Sequence, residues 1–111
     1  MFKAMKYMYG AGLSKTCALV TDGRFSGTNN GCFVGHISPE AAEGGPLAIV
    51  KDGDEILIDV NEGKLELHVP EEEIKERFKT WKRPEKDIPR GYLRLYAKVA
   101  SSADKGAIIK N

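Results

Sequence analysis

Apolar positions recur along the chain at two periods, and the periods divide it into segments. Phe2, Met5, Met8 and Tyr9 stand three and four residues apart, the spacing of one buried helical face, and Gly10-Ala11-Gly12 ends the run. No Ser, Thr, Asp or Asn precedes that helix as a cap, so the chain reads as cut at this point instead of begun. Cys17 to Thr21 is a short apolar run that reaches Asp22-Gly23, as a buried strand delivering the chain to a turn would. From there to Gly45 the sequence is rich in Gly, Ser, Asn and Pro and reads as one long loop, a length that in a small domain usually serves function.

Beyond Gly45 the period changes to two. Leu47-Ala48-Ile49-Val50 reads as a strand, followed by the turn Lys51-Asp52-Gly53-Asp54. Ile56, Ile58 and Val60 then alternate with polar residues, and after Asn61-Glu62-Gly63 so do Leu65, Leu67 and Val69. This predicts an antiparallel hairpin with one wet face, on which His68 meets solvent. Pro70 and the run Glu71-Glu72-Glu73 open a helix whose buried stripe is Ile74, Phe78 and Trp81, the glutamates favouring the positive end of its dipole. A polar connector, Lys82 to Gly91, leads to a second amphipathic helix with Tyr92, Leu95, Tyr96 and Val99 on one side, and Ala107-Ile108-Ile109 closes as a short strand. The expected fold class is α+β: a small sheet or partly closed barrel with helices packed outside.

At 111 residues and 12.2 kDa, with 41% hydrophobic content, the chain is sized for one domain, 1–111. Seventeen basic against sixteen acidic side chains, a formal net charge of +1, lack the footprint of a nucleic-acid or anionic-membrane binder. The chain has neither a membrane-spanning apolar run nor the pattern of a secretion signal, so a soluble, cytoplasmic protein with Cys17 and Cys32 as free thiols is expected. Two cysteines do not by themselves hold an iron-sulfur cluster or a tetrahedral zinc.

The chemistry-bearing stretch is Thr21-Asp22-Gly23-Arg24-Phe25-Ser26-Gly27-Thr28-Asn29-Asn30-Gly31. Its glycines permit positive φ and close approach of a ligand to the backbone, while Ser26, Thr28, Asn29 and Asn30 offer hydroxyl and amide groups, a plausible nest for a carboxylate or phosphate. A plain surface turn has the same composition. Arg24 has two readings, a bidentate partner of a substrate carboxylate or a structural salt bridge to Asp22 or another domain. His36 reads as a buried, hydrogen-bonded structural histidine. Glu40 and Glu43 read as surface residues of a short helix capped by Ser38 with Pro39 at its first position.

The run ALVTDGRFSGTNNG, continued by VGHISPEAAEGGPLAIVKDGDEILIDV and closed by RGYLRLYAKVASSADKGAI, resembles the C-terminal part of the dihydroxy-acid, phosphogluconate and sugar-acid dehydratases. The resemblance covers essentially the whole chain and implies a β-barrel-like swivelling domain of the aconitase-group type. It implies Ser26 as the base that takes the C2 proton of a 2,3-dihydroxy acid. Arg24, Gly27 and Thr28, its neighbours in sequence, are the candidate substrate-binding residues, the Gly27 and Thr28 amides or the Thr28 hydroxyl also serving to orient the serine oxygen. The elimination of water leaves an enol that tautomerises to a 2-oxo acid. An iron-sulfur cluster and magnesium belong, in that family, to an N-terminal domain, so none is expected in this chain, and Cys32 is not a ligand. Family members carry a Gly-Pro-Gly-Met-Pro-Glu-Met run just ahead, and Met1 aligns with its last methionine.

The expected partners are therefore the cluster-bearing N-terminal domain and a small dihydroxy or sugar acid, in a complete enzyme that is a homo-oligomer. The 111-residue chain alone is expected to be inactive. A separate small subunit of a split dehydratase, and a non-catalytic binding or regulatory module that kept the fold, are the alternatives. Thr28 and the Asn29-Asn30 pair suit a polyhydroxylated substrate.

Overall fold

A computed structural model describes residues 1–27 and 30–109. Helix α1, Phe2–Gly10, forms where the three- and four-residue spacing placed it, and left-handed Gly12 (φ 73°) turns the chain away after it. Its face is narrower than expected. Met5 is fully buried, whereas Phe2 and Tyr9 are 44% and 47% exposed.

Strand β1, Ala18–Val20, pairs in parallel with β2, Cys32–Val34, in the register Ala18↔Cys32, Leu19↔Phe33 and Val20↔Val34. Strand β2 lies inside what the composition presented as uninterrupted loop. Its three residues are too few to show a period, so only pairing with β1 defines it. Because parallel strands cannot be joined by a tight turn, the glycine-rich stretch that follows Thr21 serves as their crossover.

Leu47 to Val50 is not a strand. Pro46 follows Gly45 and opens a 3₁₀ turn, Pro46–Ile49, its preset φ and missing amide hydrogen suiting a first helical position. The hairpin is present: β3, Ile56–Asp59, runs antiparallel to β4, Lys64–Leu67, with Ile56 opposite Leu67 and Ile58 opposite Leu65. The ladder stops short of Val60, which is 81% exposed, because the Asp59 carboxylate accepts the Glu62 amide at 2.9 Å and turns the chain there. His68 is exposed, as expected.

Helix α2, Glu71–Thr80, begins directly after Pro70 and turns half-buried Ile74 and Phe78 inward. Trp81, just past its end, packs edge-on against Phe78 at 6.3 Å. Helix α3, Tyr92–Val99, forms, but its apolar stripe is uncovered: Tyr92 is 71% exposed and Leu95 57%. Ala107 to Ile109 contributes a single antiparallel bridge, Ala100↔Ile109, in place of a strand. The architecture is thus α+β, with two two-stranded sheets that do not close into a barrel among the described residues.

The strongest polar staple joins α2 to the segment just ahead of the hairpin, Ile49 and Asp54. Arg77 donates from both terminal nitrogens to Asp54, at 2.5 and 2.9 Å, and also to the Ile49 carbonyl at 3.0 Å and to Glu73. The Arg77 guanidinium, followed by the Lys51 amide, holds the Asp54 carboxyl down to about 2. A folded-state value below the unfolded one means that the staple contributes fully above about pH 4 and is lost as pH falls toward 2. Thermal midpoints of the parent and Asp54→Asn should therefore differ at neutral pH and converge below pH 4; a gap that stays constant down to pH 2 would exclude this role.

The accessible surface, 8728 Å², exceeds the roughly 6,100 Å² of a typical folded monomer of this mass. The radius of gyration, 16.1 Å, likewise exceeds the roughly 13 Å of a compact chain of this length. Large apolar side chains are left uncovered, among them Tyr7, Val60, Tyr92 and Leu93. An open groove of about 750 Å³ lies between the end of β1, the Pro46–Ile49 turn and the hairpin, lined by Val20, Ile37, Leu47, Val50, Ile56 and Leu65.

Candidate functional site

The serine-bearing segment is anchored where it leaves β1. The buried Thr21 hydroxyl accepts the Gly23 amide at 3.0 Å, the Gly23 carbonyl accepts the His36 amide at 3.1 Å, and the Thr21 carbonyl accepts the Ile37 amide at 3.3 Å. Asp22 reaches across to a different segment, accepting the Ala41 amide on Oδ2 at 2.7 Å. Arg24 is exposed and makes no ion pair with Asp22, which removes the Asp22 half of the salt-bridge reading.

Ser26 itself is exposed between two apolar anchors. On one side Phe25 meets Phe33 edge-on at 5.8 Å and covers Gly35 so closely that a Cβ there would lie 3.2 Å from its ring. On the other side Gly27 (φ 112°) rests on α1, where a Cβ would meet Phe2 at 3.0 Å and Met5 at 3.3 Å. Gly27 therefore answers to both requirements, a left-handed backbone and a close approach. Among the described residues the Ser26 hydroxyl has no hydrogen-bond partner, so it faces outward from a segment whose neighbours are fixed. Thr28 and Asn29 lie outside the described residues.

His36 departs from expectation. Its side chain is exposed, and its backbone takes the left-handed conformation (φ 57°) that brings its amide back onto the Gly23 carbonyl; histidine is among the side chains that tolerate this region. With Phe25, Gly31, Phe33 and Gly35 it lines an open cavity of about 350 Å³ beside the serine segment.

The short helix near Pro39 is a 3₁₀ turn, Ala41–Glu43, which starts later than predicted and has Glu40, not Ser38, in the cap position. Nor is Glu40 a plain surface residue. Its carboxylate accepts the Ser102 hydroxyl at 2.8 and 2.9 Å and the Ala103 amide at 3.0 Å, and those two donors, Ala103 first, lower its pKa. Glu43 pairs with Arg83 at 2.7 Å. The sequence signal that would have found Glu40 and Asp22 is absent, since their partners, the Ser102 hydroxyl and Ala103 amide for one and the Ala41 amide for the other, are remote in the chain.

Among the described residues no three His, Cys, Asp or Glu side chains gather as a metal site, and Cys17 and Cys32 are unpaired. These residues do not offer the ligand set of an iron-sulfur cluster or of magnesium. No helix among them is long and apolar enough to cross a membrane.

Comparison with known proteins places this arrangement. Residues 1–107 match the family model described as dihydroxy-acid/6-phosphogluconate dehydratase, C-terminal. The chain is 58% identical over 101 residues to a dihydroxy-acid dehydratase of Thermodesulfovibrio yellowstonii, covering 91% of this chain and 18% of that protein. It is 57% identical over 102 residues to the dihydroxy-acid dehydratase of Acetivibrio thermocellus, covering 92% of this chain and 18% of that protein. It is 54% identical over 110 residues to that of Aquifex aeolicus, covering 99% of this chain and 20% of that protein. The chain thus spans about a fifth of the length of the relatives it matches. On a match that takes in both the serine segment and every helix and strand described above, the chain belongs to the C-terminal family of the dihydroxy-acid/6-phosphogluconate dehydratases.

Proposed function

We propose that this chain is the serine-bearing part of a hydro-lyase that removes water from a 2,3-dihydroxy acid to give a 2-oxo acid. The observation that carries the reading is an outward-facing Ser26 whose two flanking residues are packed in place, within a chain that matches the dehydratase C-terminal family. Ser26 Oγ takes the proton from C2, the bond from C3 to its hydroxyl breaks with loss of water, and the enol formed tautomerises to the 2-oxo acid. Arg24, exposed two residues before Ser26, and the Gly27 backbone serve substrate in this reading; Thr28 has the same assigned role. The relatives' name favours a dihydroxy acid over a sugar acid.

A serine hydroxyl is a poor base unless a neighbour activates it, and the described residues around Ser26 provide no such partner. The activating group, the iron-sulfur cluster and the magnesium are therefore assigned to the remaining dehydratase polypeptide. That polypeptide is also the occupant we assign to the apolar groove. The excess surface and the two unclosed sheets fit a chain whose core is completed from outside, as a barrel-like swivelling domain would require.

The test combines this chain with the remaining polypeptide of a dehydratase, supplied with iron, sulfide and magnesium, and follows 2-oxo acid formation from a dihydroxy acid. Turnover is expected only from the combination. Turnover by the chain alone would overturn the assignment of the activating group elsewhere. Failure of the two to associate would favour a binding module that kept the fold.

A further inference from the structure

We propose that Asp22 is a positioning residue for Ser26, acting through the Ala41 amide; the inference rests on the reading of Ser26 as base given above. Four of the five links that hold the exit from β1, among them the Thr21 amide to the Val34 carbonyl at 2.9 Å, use backbone groups of residues 21–23 or the Thr21 hydroxyl and do not need the side chain at position 22. The fifth, Asp22 Oδ2 to the Ala41 amide at 2.7 Å, is part-buried and is made by the Asp22 carboxylate alone. A charged acceptor this short is among the stronger hydrogen bonds a carboxylate makes.

The bond joins the serine segment to the Ala41–Glu43 turn, beyond the ties that Gly23 and Thr21 already make to His36 and Ile37. The Ala41–Glu43 turn is held to the C-terminal segment by Glu40, whose carboxylate takes the Ser102 hydroxyl and the Ala103 amide. Asp22 therefore ties the start of the serine segment to a support that includes residues about 80 positions away in sequence. Phe25 and Gly27 fix Ser26 sideways, against Phe33 and against α1; Asp22 fixes the turn from which the segment springs. A base must lie within hydrogen-bond reach of the proton it takes, and a displacement of about 1 Å costs on the order of 10²-fold in rate.

The bond has two ends, and each can be removed separately. Asp22→Ala removes the acceptor. Ala41→Pro removes the donor while leaving Asp22 in place; Ala41 opens its turn, and Glu40 before it is already extended (φ −65°, ψ 154°), which a following proline requires. In the holoenzyme assembled from this chain and the remaining polypeptide, with kcat scaled to bound cluster, each variant should lower kcat about 10²-fold at KM within about threefold of the parent. Asp22→Asn, which keeps a carbonyl oxygen toward Ala41, should recover to within about tenfold of the parent. The double variant should be no slower than either single one, because both break the same bond.

A purely structural role predicts less holoenzyme with unchanged kcat per cluster. That result in Asp22→Ala or Ala41→Pro overturns the proposal, as does a double variant in which the two losses multiply. If Asp22→Ala does not assemble, Ala41→Pro decides alone. Ser26→Ala in the same holoenzyme tests the underlying reading separately: its retention of activity removes the base, whereas its loss beside active Asp22→Ala and Ala41→Pro enzymes removes only the positioning role.

Discussion

Replacing Ser26 by alanine in the assembled dehydratase is expected to lower kcat by about 10²- to 10⁴-fold, the range for removal of a positioned proton-transfer group. The change deletes one exposed oxygen. The packing around it, Phe25 on Phe33 and Gly27 on Phe2 and Met5, does not involve the Ser26 side chain, so the thermal midpoint should move little. KM should also change little, since substrate binding in this reading falls to Arg24, Gly27 and Thr28. Steady-state kinetics with a dihydroxy acid, alongside thermal unfolding, checks all three. A variant that keeps kcat within about threefold of the parent would remove Ser26 from the chemistry, and a matched loss of stability and activity would make its role structural.

The sequence was most legible where one residue's chemistry decided the outcome locally. Pro70 with three following glutamates marked the start of α2, and the alternation of Ile56 and Ile58 with Leu65 and Leu67 marked the hairpin. It was least legible where a distant partner decides. Leu47 to Val50 has strand composition, yet Pro46 ahead of it and Arg77 on the Ile49 carbonyl favour a 3₁₀ turn. Cys32 to Val34 is a strand only because Ala18 to Val20 lies beside it.

In the candidate site, the position of Ser26 on a glycine-rich segment was readable, and its resemblance to the dehydratases is matched by the family comparison. What holds the segment was not readable. Asp22 looked like a partner for Arg24, and Glu40 like a surface carboxylate, because sequence shows charged neighbours but not remote backbone amides. His36 looked structural and buried; its left-handed backbone instead turns the ring out beside the same segment. The shortfall in buried core has the same origin, since apolar stripes such as that of α3 show that a face wants cover without showing which polypeptide supplies it.

Gly45→Ala is expected to be the most destabilising single-methyl change in the chain. The backbone at Gly45 (φ −69°, ψ 162°) is one that any residue adopts, so conformational freedom does not explain the glycine. Space does: a Cβ built there collides with the Pro39 carbonyl group and lies 3.1 Å from the Glu40 carbonyl oxygen. Relief requires Pro39 and Glu40 to move away. That movement strains the Gly45 amide bond to the Glu40 carbonyl, the Glu40 contacts to Ser102 and Ala103, and, one residue on, the Ala41 amide bond to Asp22. Overpacking against backbone that is tied at three places should cost about 3 kcal/mol or more. The neighbouring glycine is the control. Gly44 is left-handed (φ 81°), but a Cβ there meets only Trp81, at an ordinary 3.6 Å, so Gly44→Ala should cost about 1–2 kcal/mol for its backbone alone. With roughly 4–8 °C of midpoint per kcal/mol in a chain of this size, the two variants should separate clearly in thermal unfolding followed by circular dichroism. Equal midpoints, or a Gly45→Ala chain as stable as the parent, would mean that the Pro39–Ala41 segment yields freely, and the support assigned to Asp22 would lose its rigidity.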